Sequence, residues 1–149
     1  MELQIKQLSF DDEERIMQII SSAFAAEPWN DDWHDQENFH HYLLDLMGND
    51  NSVALGLIAE GLLVGIALGH LIHWFNGIEY CLDDFCIDPA YQGQGIGSQW
   101  VQLVKEYGRQ NDFHRLSLRT HRQAPAYHFY LKNGFREMEN DVYFVLNCD

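Results

Sequence analysis

Basic residues are scarce in this chain. Nine lysines and arginines face 23 aspartates and glutamates across 149 residues, a formal net charge of −14 with histidine neutral. A surface that grips a phosphate backbone needs clustered cations, so nucleic acid is not an expected partner. Long apolar runs are also missing. None approaches the roughly 20 residues that span a bilayer, so no membrane partner is expected. The N-terminal MELQIKQLSFDDEE is acidic and alternating, not a basic stretch followed by an apolar one, which argues against a signal peptide. Three cysteines, Cys81, Cys86 and Cys148, are too few and too irregularly spaced for a disulfide framework or a zinc knuckle. His40–His41 and the pair His70/His73 lack a third ligand at metal spacing, so they read as ordinary surface or strand residues and no metal is expected. A reduced, cytoplasmic setting fits these absences.

What the chain does contain is enough apolar material for a packed core, 46% hydrophobic and 13% aromatic, and a length that predicts one domain over 1–149. Its charge is unevenly spread. Residues 1–75 hold 13 acids and 2 bases, against 10 acids and 7 bases in residues 76–149, so the first half contributes −11 and the second −3. Such an acidic half attracts cationic ligands or simply keeps the protein soluble; composition leaves both open.

Hydrophobic period organises the chain. ELQIKQL alternates as a strand. Ser9 offers a helix N-cap, with acids at Asp11 to Glu14 suiting the helix dipole, and Ile16, Ile19, Ile20 and Phe24 recur at helical spacing up to Pro28. Asp35 caps a second helix with Phe39, Tyr42, Leu43 and Leu46 on one face, closed by Gly48. The period then falls to two. SVALGLIAE and LLVGIALGHLIHW are strands joined at Glu60–Gly61, and Asn76–Gly77 signals a hairpin into IEYCLDDFCI. A helix through Gln110, a strand RLSLRT, a helix APAYHFYLKN with Gly134 at its end, and a strand DVYFVLN complete the order β-α-α-β-β-β-α-β-α-β. That order predicts a mixed α/β fold on one sheet.

The stretch YQGQGIGSQW places Gly93, Gly95 and Gly97 on alternate positions between a strand and a helix. Bare backbone at a helix N-terminus is an anion site, because loop N–H groups and the dipole converge there. The ATP-type loop is excluded, since Ser98–Gln99 follow Gly97 with no lysine. The dinucleotide G-x-G-x-x-G is excluded too, since the third glycine place holds Ser98 or Trp100 in the two possible registers. The pattern Gln92-Gly93-Gln94-Gly95-Ile96-Gly97 resembles motif A of the GNAT N-acetyltransferases. QAPAYHFYLKNGF, residues 123–135, resembles their motif B, with Ala126, Tyr130, Gly134 and Phe135 in place and Gln123 where Asn is usual. The resemblance covers essentially the whole chain, and YCLDDFCIDPAYQGQGIGSQW looks most like polyamine- and aminoglycoside-type members.

The resemblance implies the GNAT fold, a central mixed and mostly antiparallel sheet flanked by about four helices. It also implies acetyl-CoA as co-substrate, with direct transfer to an amine and no covalent enzyme intermediate. The amides of Phe85, Cys86 and Ile87 are then expected to hold the pantetheine, and Gly93 to Ser98 the pyrophosphate; Gln123 and Ala126 belong to the same cofactor set. Tyr130 matches the acid that protonates the departing thiolate; its alternative is a core aromatic. Asp83 is the carboxylate at the amine and Asp84 its neighbour, with Glu79, His34 or a relayed water as other bases. Arg119, Arg122 and Lys132 are candidates for the 3′-phosphate.

The loop EPWNDDWHDQE, residues 27–37, holds five acids, no lysine or arginine, and two tryptophans. Carboxylates and indole faces suit an ammonium, so Glu27, Trp29, Trp33 and Asp84 are expected at the acceptor. The competing reading is a solvated loop with one tryptophan plugging the core. The acceptor expected is a small cationic amine, a polyamine or aminosugar. Alternatives are a protein N-terminus or lysine, and a non-catalytic acyl-CoA-binding sensor. A homodimer is compatible with all of these.

Overall fold

Ser9 turns the chain out of its first strand. Its hydroxyl accepts from the Asp11 N–H while the Asp12 carboxylate accepts from the Ser9 N–H, a reciprocal cap over a single tight turn, Phe10–Asp12. The computed structural model describes all 149 residues, and from this cap it runs into α1 (Glu13–Phe24), whose Ile16, Ile19 and Ile20 are buried. Asp35 caps α2 (Gln36–Met47) by accepting from the Asn38 N–H. Phe39 and Leu43 of α2 are buried beside the α1 isoleucines.

Five strands form one sheet in the order β1-β2-β3-β4-β5. They are β1 (Leu3–Gln7), β2 (Ser52–Ala59), β3 (Leu62–Trp74), β4 (Gly77–Ile87) and β5 (Phe113–Ser117). All pairs are antiparallel except β4–β5, which is parallel and reached through α3 (Ile96–Gln110). The sheet separates two cores. α1 and α2 pack against Ile66 and Leu68 on one face. Trp100 and Val104 of α3 pack against Leu55, Leu57, Val64, Tyr80 and Leu82 on the other. The expected mixed α/β architecture with a mostly antiparallel sheet and four helices is what folds.

The chain divides into two compact units, 1–119 and 120–149. The first holds the sheet and α1 to α3. The second holds α4 (Ala126–Lys132), ended by Asn133 and by Gly134 at φ +93°, as the sequence reading expected of this glycine.

Three local expectations are corrected. The β3–β4 hairpin turns at Phe75–Asn76, one residue early, because Trp74 pairs with Gly77. The β5 strand starts two residues before RLSLRT, at Phe113, whose ring packs against Tyr80 and Tyr107. The final segment DVYFVLN joins no strand, although its composition favours one, and Val142 to Leu146 stand exposed.

The pairing of β3 with β4 slips once. Leu68 faces Asp84 but Gly69 faces Leu82, so Asp83 is an extra residue with no partner across the ladder. A bulge of this kind changes which face the following side chains point to. Leu82 and Phe85 accordingly both contribute to the α3-side core, three residues apart, where strict alternation would put them on opposite faces. Gly69 is the other half of the device. A Cβ there would lie 2.3 Å from the Cys81 carbonyl oxygen and 2.7 Å from the Tyr80 ring. Gly69→Ala should therefore force the two strands apart at the bulge and lower stability by about 1–3 kcal/mol in urea unfolding. An unchanged midpoint would show that the spacing is not fixed there.

Candidate active site

Parallel pairing between β4 and β5 ends at Cys81–Ser117, yet β4 continues to Ile87. From Leu82 onward β3 is the strand that β4 pairs with, and β5 no longer runs along its other edge. A strand edge that another strand has left is a template for an extended ligand. Phe85, Cys86 and Ile87 lie on this stretch. Phe85 stacks on Trp100 of α3 with ring centroids 6.0 Å apart, and the Trp100 indole donates to the Ile66 carbonyl at 3.2 Å. The stretch is thus held from the α3 side and from β3.

The chain then turns sharply. Asp88 accepts from the Ala90 N–H and pairs with Arg15 of α1 at 2.8 Å. Arg15 also donates to the Leu63 carbonyl. The Gln92 side-chain amide reaches back to the Ile87 carbonyl at 3.3 Å. Gly93 (φ +81°) and Gly95 (φ +76°) follow in left-handed backbone, and a Cβ on either would meet nothing within 4 Å. Internal packing is therefore not what demands glycine at these places; the backbone conformation is, and it leaves the loop open from outside. Gly95 is the N-cap of α3 and offers no side-chain cap. The first N–H groups of α3, from Ile96, Gly97 and Ser98, thus lack helical acceptors. Together with Gln94, these residues make up the turn from strand to helix, and backbone N–H groups at a helix N-terminus are a place where an anion can be held.

On the α2 side of the sheet, the bulge gathers carboxylates. Asp83 is exposed and accepts from or pairs with His70 Nδ1 at 2.9 Å. Asp84 is half-buried and accepts from the Tyr42 hydroxyl of α2 at 2.5 Å. Burial pushes the Asp84 carboxyl up to about 7; the Tyr42 hydrogen bond opposes the shift, and the charges of Asp83 and Asp31 add to it. Burial, and then the Asp84 charge, also drive the Tyr42 hydroxyl well above its usual range, with Asp83 and Asp31 contributing. Asp31, from the acidic loop, thus shares one electrostatic field with the two β4 aspartates. Trp33 stacks on Phe39 and Tyr42, with centroids 4.4 and 4.9 Å away. Trp29 meets Phe24 edge to face. Glu27 is exposed.

Glu79 is occupied. It accepts from Arg115 (2.7 Å), Ser117 (2.7 Å) and Cys81 (3.2 Å), which is a structural tie between β4 and β5. His34 is exposed and bonded to Asp32. Burial raises the Cys86 thiol well above its usual range, so it is held as a thiol and makes a poor nucleophile. No three His, Cys, Asp or Glu side chains are arranged to hold a metal ion. In the second unit, Gln123 is exposed and Ala126 opens α4. Tyr130 is half-buried, its ring edge-on to Phe129 and Phe135. Arg122 pairs with Glu137.

Two members of the carboxylate cluster were not singled out in the sequence. Tyr42 reads there as one apolar residue of a helix face, and His70 as an ordinary strand residue. The available signal was parity. His70 shares alternation with Ile66 and Leu68, so it stands on the α2 face, within reach of the Asp83 carboxylate.

The raised Asp84 carboxyl has a consequence for stability. Its folded value, about 7, lies above the ordinary 3.8. Between those values the folded chain keeps a proton that the unfolded chain releases, so stability from this group is full below about pH 4 and declines as pH rises to about 7. Asp84→Asn removes the decline. Urea midpoints should show the variant gaining on the wild type between pH 5 and pH 8; parallel pH profiles would contradict a desolvated carboxyl.

Comparison with known proteins completes this geometry. A family model described as the acetyltransferase (GNAT) family matches residues 13–135. A curated Bacillus subtilis (strain 168) protein, described as a candidate ribosomal protein bS18 alanine N-acetyltransferase, is 28% identical over 138 residues, covering 89% of this chain and 80% of its own. Among solved structures, an aminoglycoside acetyltransferase, meta-AAC0020, from an uncultured soil metagenomic sample, in complex with sisomicin, has a TM-score of 0.74 at 20% identity, covering 99% of this chain and 97% of that one. AAC(6')-Iy in complex with a CoA-linked bisubstrate analogue also has a TM-score of 0.74, at 16% identity over 99% of this chain and all of that one. The two structures share the fold, and the family model covers most of the chain, residues 13–135: this chain belongs to the GNAT acetyltransferase family.

Proposed function

We propose that the protein is an acetyl-CoA-dependent N-acetyltransferase that moves an acetyl group directly to a primary amine, and that the amine is small and cationic. The observation that carries this reading is the open β4 edge from Leu82 to Ile87, leading into the glycine loop on one side and flanked by Asp83 and Asp84 on the other. Bound there, the thioester supplies an activated acetyl group and a thiolate leaving group.

The chain's own residues have four tasks. Main-chain groups of Phe85, Cys86 and Ile87 hold the pantetheine in strand-like pairing. The N–H groups of Gly93 to Ser98 hold the pyrophosphate, with Gln123 and Ala126 completing the cofactor site. Asp83, oriented by His70, takes the proton that the ammonium must lose before it can attack. Tyr130 gives a proton to the departing sulfur. The span of the family match, 13–135, takes in residues of both compact units.

Acceptor choice follows from charge. Asp31 and Asp83 both act electrostatically on Asp84 and Tyr42, and the first half of the chain is strongly acidic. A dication is drawn to such a surface. Glu27, Trp29 and Trp33 extend the acceptor site along the acidic loop. A second reading is acetylation of a protein N-terminus, favoured by the description of the Bacillus subtilis relative.

Thiol release from acetyl-CoA should be measured with polyamines, aminoglycosides and alanine-ended peptides. The expected result is turnover with the diamines, weakened by salt more for diamines than for matched monoamines, because screening shortens from about 10 Å at 0.1 M to about 3 Å at 1 M. Asp83→Asn should lower kcat/KM for the diamine at least tenfold. Tyr130→Phe should lower kcat at least tenfold with acetyl-CoA affinity nearly kept, within the range of about 10²–10⁴ for a general acid. Preference for peptides would move the protein to the second reading, and no turnover with any amine would make it a sensor.

A further inference from the structure

Tyr42 of α2 stands between two sources of negative charge. Its hydroxyl donates to the Asp84 carboxylate of β4 at 2.5 Å. Its ring lies against Trp33 of the acidic loop, with centroids 4.9 Å apart and planes 29° from parallel. Trp33 also stacks on Phe39 of α2 at 4.4 Å. The Trp33 indole N–H is buried and meets no acceptor, so the aromatic faces of α2, and not a hydrogen bond from the indole, hold this side chain. One residue thus joins β4 to the loop that carries Asp31.

The hydroxyl has a task that the ring does not. Asp84 stands opposite Leu68 of β3, on the face packed by α1 and α2. Burial there penalises its charge, and Asp83 on its own strand and Asp31 on the loop add to the penalty. His70 of β3 is paired with Asp83, and the Cys86 thiol farther along β4 is itself raised by the Asp84 charge. The charged side chains of α1 are engaged elsewhere or face solvent: Glu13 meets His40 of α2, Arg15 meets Asp88, and Glu14 is exposed. On α2, Asp45 is exposed. Against the penalty stands the Tyr42 O–H, which bonds the carboxylate and favours its ionised form. A phenylalanine would pack on Trp33 equally well. What it would not supply is a donor to Asp84, so the carboxylate, and not packing, accounts for a tyrosine at this place.

We infer that Tyr42 is a positioning residue that determines acceptor specificity: its hydroxyl holds Asp84 as the anionic partner for the second ammonium of a diamine, while Asp83 meets the amine that reacts. This role rests on the acetyl-transfer reading above.

The test separates the two. In isotope-labelled protein without ligands, carboxyl NMR should show Asp84 titrating with a midpoint at about 7. Tyr42→Phe keeps the ring and should raise that midpoint by about half a pH unit or more, with circular dichroism unchanged. In acetylation of matched mono- and diamines, the same variant should raise KM for the diamine about twofold or more just above neutral pH, with kcat nearly kept and the monoamine little affected. The gap between wild type and variant should close at lower and at higher pH, where Asp84 is neutral in both or charged in both. In an Asp84→Asn background, Tyr42→Phe should have no further effect on the diamine. An unmoved Asp84 midpoint would overturn the role. So would a loss that is equal at every pH and for both amines, the signature of packing damage, or one that persists in the Asp84→Asn background. A wild type that acetylates no diamine would end this role together with the small-amine function, whereas diamine turnover with an unmoved Asp84 midpoint would end this role alone.

Discussion

One extra residue in β4 sets the geometry on which the site depends. Asp83 has no partner across the β3–β4 ladder, so the strand changes face at that point. Before the bulge, Tyr80 and Leu82 enter the α3-side core; after it, Phe85 and Ile87 do, while Asp84 reaches the Tyr42 hydroxyl on α2. Just upstream, at Cys81–Ser117, β5 stops pairing with β4. Two consequences therefore fall within a few residues of each other: carboxylates crowd together on one face, and an edge of main chain opens beside them. Glu79 reinforces the arrangement by tying Arg115 and Ser117 to β4 just before the strands part.

The crowding carries an energetic cost. Burying the Asp84 carboxyl and surrounding it with Asp83 and Asp31 lifts its protonation into the neutral range. A core selected for stability alone would place an apolar side chain there. Strained electrostatics of this kind concentrate at functional sites, and the rest of the fold compensates with two well-filled cores, in which Trp100, Tyr80, Phe39 and the α1 isoleucines are almost wholly buried. The glycine loop costs something too, since Gly93 and Gly95 give up backbone entropy without filling any internal gap. On the proposed function, the carboxylates serve the amine and the glycine loop serves the anionic part of the acyl donor.

Much of this was legible in the sequence where one local pattern decides the outcome. Ser9 and Asp35 cap where their side chains predict, the period-two runs became β2 and β3, and Gly134 follows α4 in left-handed backbone. The glycine motif and QAPAYHFYLKNGF pointed to the family that the comparison then established. What was not legible depends on pairing between distant residues. The hairpin turn moved by one residue because the Trp74–Gly77 register, not the Asn–Gly dipeptide, closes it. The start of β5 moved because Phe113 packs on Tyr80 and Tyr107. The tail composition predicts a strand, yet Asp141–Asn147 joins no sheet. Tyr42 and His70 escaped notice because a bulge, invisible to a period count, decides which carboxylate each one meets.

The central claim is that the β4 edge released by β5 is where the acyl donor lies. Amide hydrogen exchange across Leu82–Ile87, with and without saturating acetyl-CoA, tests it most directly. The account predicts that slowed exchange appears at one or more of Phe85, Cys86 and Ile87, together with amides from Gly93 to Ser98. Tight acetyl-CoA binding that leaves both stretches unchanged, with protection appearing elsewhere, would contradict it.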